Sequence, residues 1–460
     1  MSIKSQQHKT TTITGLASPS GVGGVHIVRL SGSDALGIAT KLLYIGDKSG
    51  KKTTKIKKDY LKPRVATFVS LKTQKISDSV LVIYFKAPNS FTGEDIVEIH
   101  CHGNILISTL IINELIFLGA KMAEPGEFSK RAFLNGKIDL SSAEGLLDLI
   151  NAKLVSSINV ANSSMNGSVF EAIEQISTKI TAKLAHLSAL IDYPEEDILG
   201  IDLGEVKREL EEARQKLKKL ENSYRDGKIR QEGVKVAIVG APNVGKSMLL
   251  NALLGFDRAI VTSEAGTTRD TLDASFTYKD ILFTIVDTAG IRETKNEAEK
   301  LGVERSKKAI ETADLLLCVS CPNNEFSVAL PKNTKSIDIF NKCDLLDGLK
   351  NKEKLAIDSK KLKISAKNGQ NIDLLKEEIF KLGVGSISTD GTVLTNARHY
   401  SAVLQAKQAL SQAIDNIDSF SIECILSDLN AVLRALGAIT GKLASEEVIN
   451  EIFSKFCVGK

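Results

Sequence analysis

Apolar positions divide the chain into segments of three kinds. Residues 1–120 hold short runs rich in β-branched residues and separated by Gly, Pro and Ser, which predict strands. These predicted strands are Gly24–Leu30, Arg64–Leu71, Val80–Phe85 and Asp95–His100. The longer apolar run Ile105–Leu118 predicts a helix among them. We therefore expect a compact α+β domain here.

Two further segments carry apolar residues spaced three and four apart, the period of one helix face. The four stripes are Ile173, Ile176, Ile180, Leu184, Leu187 and Ile191; Val206, Leu210, Ala213, Leu217 and Leu220; Val403, Ala406, Leu410, Ile414 and Ile417; and Ile425, Leu429, Val432, Leu436 and Ile439. We interpret them as core packing. They flank residues 233–383, so the simplest architecture is one discontinuous helical domain with the middle of the chain inserted into it.

The middle of the chain alternates apolar strands with helical stretches, which is typical of a parallel sheet with helices on both faces. The predicted strands are Val234–Val239, Leu282–Val286, Leu315–Val319, Ile337–Phe340 and Leu362–Ile364.

Composition adds limits to this picture. A length of 460 residues suggests about three domains. No run approaches the length of a membrane span, the N-terminus lacks an apolar signal region, and the six scattered cysteines form no disulfide-like or zinc-like pattern. We expect a soluble cytoplasmic protein.

The net charge of +4 hides an excess of Lys and Arg in the first 140 residues, 19 against 11 Asp and Glu. Seven lysines fall between Lys48 and Lys62, a run that we interpret as a solvated loop. The basic excess permits an anionic partner. The absence of Trp argues against a surface of stacked aromatic rings, but not against contacts to an RNA backbone.

The segment from Gly240 to Ser247 reads GAPNVGKS and follows a predicted strand directly. This is the GxxxxGK[ST] phosphate loop in its proper context, in which backbone N–H groups and a helix N-terminus face the phosphates. Lys246 would reach the β- and γ-phosphates, and Ser247 would ligate Mg²⁺. Asn243, Val244 and Gly245 complete the loop.

The other elements of a nucleotide site follow in order. Asp287-Thr288-Ala289-Gly290 ends a strand, where the aspartate can hold Mg²⁺ through water, and Thr268 of Gly266-Thr267-Thr268 is the natural second hydroxyl ligand. Asn341-Lys342-Cys343-Asp344 resembles the NKxD element of GTPases, whose carboxylate accepts hydrogen bonds from guanine. Ser365-Ala366-Lys367 resembles the supporting SAK loop. Together these motifs predict GTP as the nucleotide.

Ile291 stands where Ras-like GTPases carry the glutamine that orients water. Isoleucine cannot do this by a hydrogen bond. Hydrolysis is therefore either slow or assisted by another residue, with candidates in residues 292–299, or by a partner.

The flanks of the GTPase motifs carry further recognisable segments. These are Ile13–Gly24, Arg29–Gly32, Asn89–Asp95, Pro125–Leu140, Tyr193–Asp197 and Phe456–Lys460. With these segments the chain resembles the MnmE (TrmE) family of tRNA-modification GTPases over nearly its full length. Asn104, where the family usually continues His-Gly-Gly, and Met248 after the phosphate loop are small departures.

The resemblance implies a multidomain α/β protein. Its parts would be an N-terminal α+β domain that binds tetrahydrofolate and dimerises (residues 1–125), an all-α helical domain in two parts (126–225 and 384–460), and an inserted Ras-like P-loop GTPase domain with a doubly wound sheet (226–383). It also implies joint action with the FAD-dependent MnmG (GidA) protein in a heterotetramer. The pair would add an aminomethyl or carboxymethylaminomethyl group to carbon 5 of the wobble uridine of certain tRNAs, with a one-carbon unit from 5-formyltetrahydrofolate or a related folate.

Residue roles carry over by position. The folate residues would be Arg29, Glu98, Lys137 and Lys460, with Cys457 as a possible reactive thiol. His100 and His102 share one strand face, but no third ligand is evident, so no metal is predicted there.

For hydrolysis, the resemblance implies that Glu299 positions the attacking water and that K⁺ takes the place of an arginine finger when two GTPase domains meet. Asn243, Thr262, Glu264 and Thr267 would ligate K⁺, Glu264 through its backbone carbonyl. Ser263 and Ala265 complete the expected GTP-contacting segment. Arg269 is interpreted as structural.

Two alternatives remain beside this interpretation. One is a ribosome-assembly GTPase switch with unrelated flanking domains, which would need a KH-like GxxG or a second GTPase domain, and neither is evident. The other is a folate-binding enzyme in which the GTPase domain is only regulatory.

Overall fold

The computed structural model describes residues 11–46, 53–192, 202–255, 274–286, 311–322, 334–348, 361–385, 392–417 and 421–459. Contacts divide the chain into two compact units. Unit 1 comprises residues 1–147, 165–174 and 433–460, and unit 2 comprises residues 148–164 and 175–432. Helices from both sides of the inserted middle of the chain contribute to these units, and the multidomain α/β class predicted from the sequence is confirmed.

Unit 1 is built on an eight-stranded sheet. Its strands are β1 (Ile13–Leu16), β2 (Val25–Ser31), β3 (Leu43–Gly46), β4 (Thr53–Lys55), β5 (Thr67–Lys72), β6 (Ser77–Phe85), β7 (Ile96–His102) and β8 (Lys121–Met122). They lie in the order β4-β3-β5-β6-β7-β2-β1-β8, antiparallel except for the β1–β8 pair.

Helices α1 (Ala35–Thr40) and α2 (Ile105–Phe117) cover one face of this sheet and close its core. The side chain of Asn104 caps α2, since its Oδ1 accepts hydrogen bonds from the N–H groups of Leu106 and Ile107. The family departure at position 104 therefore supplies a helix cap. The opposite face of the sheet carries Arg29 and Glu98, for which the family resemblance implies a folate role.

The remaining helices of unit 1 include α3 (Glu127–Leu134), which follows Gly126, and α12 (Glu446–Ser454) near the chain end. Phe453 and Phe456 pack with Leu140 and Ala143 in one buried cluster. Leu140 and Ala143 belong to α4 (Leu140–Asn151), the start of which lies in this unit. This cluster anchors the C-terminal segment to the chain around residues 126–143.

Unit 2 holds a six-stranded sheet with strands β9 (Val234–Gly240), β10 (Ala274–Tyr278), β11 (Ile281–Val286), β12 (Leu315–Ser320), β13 (Lys335–Phe340) and β14 (Leu362–Lys363). The order is β10-β11-β9-β12-β13-β14, parallel except for the β10–β11 hairpin. All six residues of β12 are buried, and separate apolar clusters lie on the two faces of the sheet. This is the doubly wound sheet that the alternating pattern predicts; the hairpin strand β10 was not predicted.

The other helices of the described ranges are α5 (Val155–Met165), α6 (Ser168–Asp192), α7 (Leu203–Glu232), α8 (Lys246–Leu254), α9 (Ile372–Gly383), α10 (Ala397–Asn416) and α11 (Ile422–Thr440). Every residue of the predicted stripes on α7, α10 and α11 is buried, as is Ile417 just past α10. On α6, Leu184 and Ile191 are only partly buried.

Helices α7 and α10, which precede and follow the inserted sheet in the chain, pack against each other. The rings of Tyr224 and Tyr400 stack with centroids 4.4 Å apart. Gly227 lies so close to the loop before α10 that a Cβ there would stand 2.1 Å from the carbonyl oxygen of Leu394. The helical parts on the two sides of the insertion thus meet directly.

Candidate functional site

The phosphate loop connects β9 to α8. Its backbone enters the left-handed region at Asn243 (φ 65°) and again at Gly245 (φ 98°), the residue before the first helical turn. This curl turns successive N–H groups toward one point at the N-terminus of a helix, a favourable place for phosphate. Val244 is fully buried and holds the loop to the core.

Lys246 lies along this loop. Its ammonium donates hydrogen bonds to the carbonyl oxygens of Gly240 (2.8 Å) and Ala241 (2.9 Å). Burial lowers the pKa of Lys246, because desolvation disfavours the charged form. An anionic ligand would restore a counter-charge to this ammonium, so the site favours phosphate.

Asn341 joins the predicted base-recognition motif to the phosphate loop. Its Nδ2 donates to the carbonyl of Val244 (2.9 Å), and its Oδ1 accepts from the N–H of Ala366 (3.0 Å). Lys342, at φ 63°, donates from Nζ to the carbonyl of Asn243 (2.8 Å). Two motifs about one hundred residues apart in sequence are thereby fixed as one structure.

Gly245 has no room for a side chain at this junction. An added Cβ would stand 2.3 Å from Nδ2 of Asn341, and the positive φ is itself unfavourable for other residues. Glycine is therefore required here both for backbone conformation and for the approach of the Asn341 side chain.

Asp344 is oriented by the loop that carries Ser365-Ala366-Lys367. The hydroxyl of Ser365 donates to Asp344 Oδ1 (2.6 Å) and accepts from the N–H of Asn368 (3.3 Å). Lys367 is exposed beside it. A carboxylate oriented by this hydrogen bond suits the paired N–H donors of guanine.

Several predicted residues lie outside the described part of the chain, so their placement stays a prediction. They are Thr262, Ser263, Glu264, Ala265, Gly266, Thr267, Thr268, Arg269, Asp287, Thr288, Ala289, Gly290, Ile291, Glu299 and Lys460, with the motif Tyr193–Asp197. Ser247, the predicted Mg²⁺ ligand in the described part, stands in the first turn of α8.

A second candidate site lies on the sheet of unit 1. Arg29 of β2 and Glu98 of β7 stand directly opposite each other, and the guanidinium donates to Glu98 Oε1 from Nε (3.0 Å) and approaches it with Nη2 (2.8 Å). The Arg29 guanidinium also lies over the rings of Phe91 (5.9 Å) and Phe128 (5.6 Å). The guanidinium of Arg29 thus has two aromatic rings within 6 Å as well as its carboxylate partner.

The chain end lies against this pair. Nη1 of Arg29 donates to the carbonyl of Gly459 (3.5 Å), and Val458 forms a β-bridge with Pro125. A Cβ at Gly459 would stand 1.8 Å from the carbonyl oxygen of Leu16, so only glycine fits there. Cys457 is exposed, and its carbonyl accepts a hydrogen bond from the N–H of Gly126 (3.4 Å). The structure therefore brings Arg29, Glu98 and the Cys457–Gly459 segment together.

Lys137 takes a different position in unit 1. Its Cε would be 3.3 Å from a Cβ at Gly93, in the loop that also carries Phe91. It also lines a cavity of about 610 Å³ with Phe133, Asp139, Phe170 and Lys442. Lys137 thus approaches the loop of Phe91, whereas no hydrogen bond joins it to Arg29 or Glu98 among the described residues.

Sequence reasoning did not find the residues that support this second site. Glu94 contacts Arg131 (3.1 Å) and accepts from Ser31 (2.7 Å), while Arg131 also pairs with Glu127 (2.7 Å). This network fastens the Asn89–Asp95 motif to α3. All four residues lie in segments that carry the family resemblance, and Glu127 and Arg131 have the four-residue spacing of a helical ion pair, but neither signal shows that the segments meet.

In the His100-Cys101-His102 segment, both histidines lie close to carboxylates. His100 Nε2 is 3.4 Å from Glu98 Oε2, and His102 pairs with Asp78. Cys101 is buried, and this burial raises the pKa of its thiol to about 11. Within the described ranges, no group of three or more His, Cys, Asp or Glu residues gathers around a common point.

This is a P-loop GTP-binding protein. Its class is defined by the sheet order, the curled phosphate loop and the base-recognition motif Asn341–Asp344 that is hydrogen-bonded to that loop. The family model described as the MnmE helical domain matches residues 140–457, and the one described as the GTP-binding protein TrmE N-terminus matches residues 12–137. The chain belongs to the MnmE family of tRNA modification GTPases and is a GTP hydrolase.

Full-length relatives support this assignment. The tRNA modification GTPase MnmE of Natranaerobius thermophilus is 40% identical over 460 residues, with 98% of this chain and 99% of that protein covered. The MnmE of Lactobacillus gasseri is 39% identical, with 98% of each chain covered.

Among solved structures, the G domain of the T. maritima FeoB iron transporter is 22% identical to the matched part of this chain. The match covers 32% of this chain and 98% of the FeoB chain, with a TM-score of 0.22.

None of the helices in the described ranges is long and apolar enough to cross a membrane.

Changing Asp344→Asn should shift nucleotide preference from GTP to xanthosine triphosphate. Guanine would lose its carboxylate acceptor, and hydrogen bonds to charged groups contribute about 1.5–3 kcal/mol each, so GTP affinity should fall roughly 100-fold. Titration with fluorescent nucleotides measures both affinities. Cys343→Ser, in the same motif, is the control and should keep GTP preference. Undiminished GTP preference in the Asp344 variant would exclude this carboxylate as the base-recognition group.

Proposed function

We propose that this protein hydrolyses GTP during modification of carbon 5 of the wobble uridine of certain tRNAs. It would act with the FAD-dependent MnmG (GidA) protein in a heterotetramer and add an aminomethyl or carboxymethylaminomethyl group. The observation that carries the proposal is the similarity to tRNA modification GTPases over 98% of the chain, flanks as well as GTPase domain. With tRNA as its substrate, the protein would act in the cytoplasm.

The one-carbon unit would come from 5-formyltetrahydrofolate or a related folate bound at Arg29 and Glu98. The chemistry of these residues fits such a ligand. Glu98 presents carboxylate oxygens to pterin N–H groups, and the rings of Phe91 and Phe128 lie beside the guanidinium of Arg29. Lys137 and Lys460 would supply ammonium groups for the glutamate carboxylates of the folate. Cys457 lies in the segment next to Arg29 and is our candidate for a thiol in this site.

In the GTPase domain, the donors assigned to metal ions are oxygen atoms, which suit hard cations. Ser247, with Thr268, would hold Mg²⁺, and Asn243, with Thr262, Glu264 and Thr267, would hold K⁺. When bound, these ions neutralise charge that develops on the phosphates. Glu299 would position the attacking water, since Ile291 cannot.

The homodimer assigned to this family would form through the open face of the unit 1 sheet. Phe68 on β5 is 72% exposed, and its cross-strand neighbour Leu81 on β6 is 37% exposed; Val25 on β2 is 56% exposed. Exposed apolar surface of this kind marks protein interfaces. Arg29 and Glu98 share this face, so a second copy of the chain would also enclose the folate residues.

Deletion of the gene should remove the carbon-5 group from wobble uridines of the affected tRNAs. Mass spectrometry of tRNA nucleosides measures the loss, and complementation with the wild-type chain should restore the modified nucleoside. An unchanged nucleoside profile in the deletion strain would overturn the proposed function.

Glu299→Ala should reduce K⁺-stimulated GTP hydrolysis by roughly two orders of magnitude, within the 10²–10⁴-fold range of positioned acid–base groups. Nucleotide affinity should stay within about twofold, since the residue is assigned to water and not to GTP. Phosphate-release assays in KCl and NaCl measure both effects. Full turnover in the variant would assign water positioning to another residue.

Phe68→Glu should convert the dimer to a monomer in analytical ultracentrifugation, because a buried carboxylate without a partner opposes association. GTP binding by the variant should be unchanged, since Phe68 lies outside unit 2. Phe117→Glu is the matched control, because Phe117 is also exposed (77%) but lies on α2, on the other face of the sheet. If the Phe68 variant stays dimeric, the interface lies elsewhere.

A further inference from the structure

The described part of the run from Lys48 to Lys62 is residues 53–62, which begin at an edge of the unit 1 sheet. Residues 53–55 form the edge strand β4, and Lys58–Tyr60 form a turn of 3₁₀ helix. Ile56 and Leu61 are both buried in the core. The lysines of this run are solvent-exposed, as interpreted, but the described residues include a strand and a 3₁₀ turn and not only loop, and two buried apolar residues anchor the backbone.

Burial of Ile56 and Leu61 turns the lysines outward. Lys55, Lys57, Lys58 and Lys62 are all exposed, and Lys41, just past α1, is exposed as well. The 3₁₀ turn lies beside α1, since Nζ of Lys58 would be 2.9 Å from a Cβ at Gly37. The ordered backbone thus presents a basic edge, which we define as Lys55, Lys57, Lys58 and Lys62.

Few acidic groups offset this charge. Lys58 is 3.8 Å from Asp34, and both side chains are more than half exposed, so the pair is weak. Asp59 is exposed within the same turn. Within the described ranges, no carboxylate lies within 4.0 Å of the ammonium groups of Lys55, Lys57 or Lys62. The edge therefore keeps a net positive charge.

Lys55 lies on β4, four strand spacings from β7, which carries Glu98; at about 4.8 Å per strand this is a distance of about 19 Å. After Lys62 the chain reaches the middle of the sheet, because Pro63 forms a β-bridge with Tyr84 of β6. Tyr60, 44% exposed between Lys58 and Lys62, adds an aromatic face on which a nucleobase can stack.

We propose that the basic edge binds the sugar–phosphate backbone of the tRNA substrate. Ammonium groups on an ordered backbone match phosphates in charge, and they do so without reading sequence. This inference rests on the proposed function, because that function supplies tRNA as the polyanion. The inference goes further than that function because it names the surface of this chain that would contact the RNA.

The test is the salt dependence of tRNA binding by the full-length protein. A tRNA transcript is titrated with protein between about 50 and 200 mM salt, where phosphate contacts change affinity strongly. The variant carries Lys55→Gln, Lys57→Gln, Lys58→Gln and Lys62→Gln. We expect at least about tenfold weaker binding at the low-salt end. The log–log salt slope should be smaller by about 3, because each phosphate that a lysine no longer neutralises reduces it by about 0.7–0.9. GTP hydrolysis without tRNA should be unchanged.

A matched variant removes the same number of charges from exposed positions on α7: Lys216→Gln, Lys218→Gln, Lys219→Gln and Lys228→Gln. It should keep wild-type affinity and slope. Equal losses in both variants would show general attraction to a basic protein and would overturn the proposal.

Other outcomes also overturn it. Lysines on an edge strand can simply oppose strand pairing between molecules. That role predicts self-association of the basic-edge variant with an unchanged salt slope. Binding of the wild-type protein to phosphatidylglycerol vesicles through these lysines, with tRNA binding unaffected, would assign the edge to a membrane surface. Failure of the wild-type protein to bind tRNA would overturn the proposed surface alone, since nucleoside analysis decides the function separately.

Discussion

One buried amide holds the GTP site together. The side chain of Asn341, 2% exposed, donates to the loop after β9 and accepts from the loop after β14, while its own backbone continues β13. Three loops at the carboxyl ends of parallel strands therefore share one rigid connection. A buried amide with unsatisfied hydrogen bonds costs about 1–3 kcal/mol, so each loop is held in place by the position of the others. A displacement of one of these loops would therefore change the geometry of both the phosphate site and the base site.

The second site depends on strand register in a similar way. Arg29 and Glu98 meet because β2 and β7 are paired in one register. A slip of one strand by one residue would place the two side chains on opposite faces of the sheet. Gly459 then fits against Leu16 and reaches Arg29. The chain end is thus part of a site that begins near residue 29. Phe453 and Phe456 anchor this segment in a buried cluster, so residues 456–459 are part of the packed structure of unit 1.

The sequence allowed the long elements to be predicted well. On α7, α10 and α11 the residues of each apolar stripe are buried, as predicted. The prediction was clear there because a helical period sustained over fifteen or more residues is hard to mistake for another pattern. Short elements such as β1, β8 and β10 were missed, since two to five residues carry no clear period and form only by pairing with a neighbour. The lysine run shows a third case. Its charges suggested a loop, but two apolar residues, Ile56 and Leu61, fixed its structure.

The two sites also differ in how far a sequence can reveal them. The GTP site is built mainly from backbone groups and loop conformation, so its requirements fall on adjacent residues, such as Gly245 and Lys246, and appear as a contiguous motif. The site around Arg29 is built from side chains that protrude from one face of an antiparallel sheet, together with α3 and a distant chain end. Its members are separated by up to 430 residues, as in the Arg29–Gly459 contact. No local pattern marks such a set, and only resemblance to a family or the strand register of the fold can assemble it. For the same reason a substitution at Gly459, far from any recognised nucleotide motif, bears directly on the geometry of Arg29.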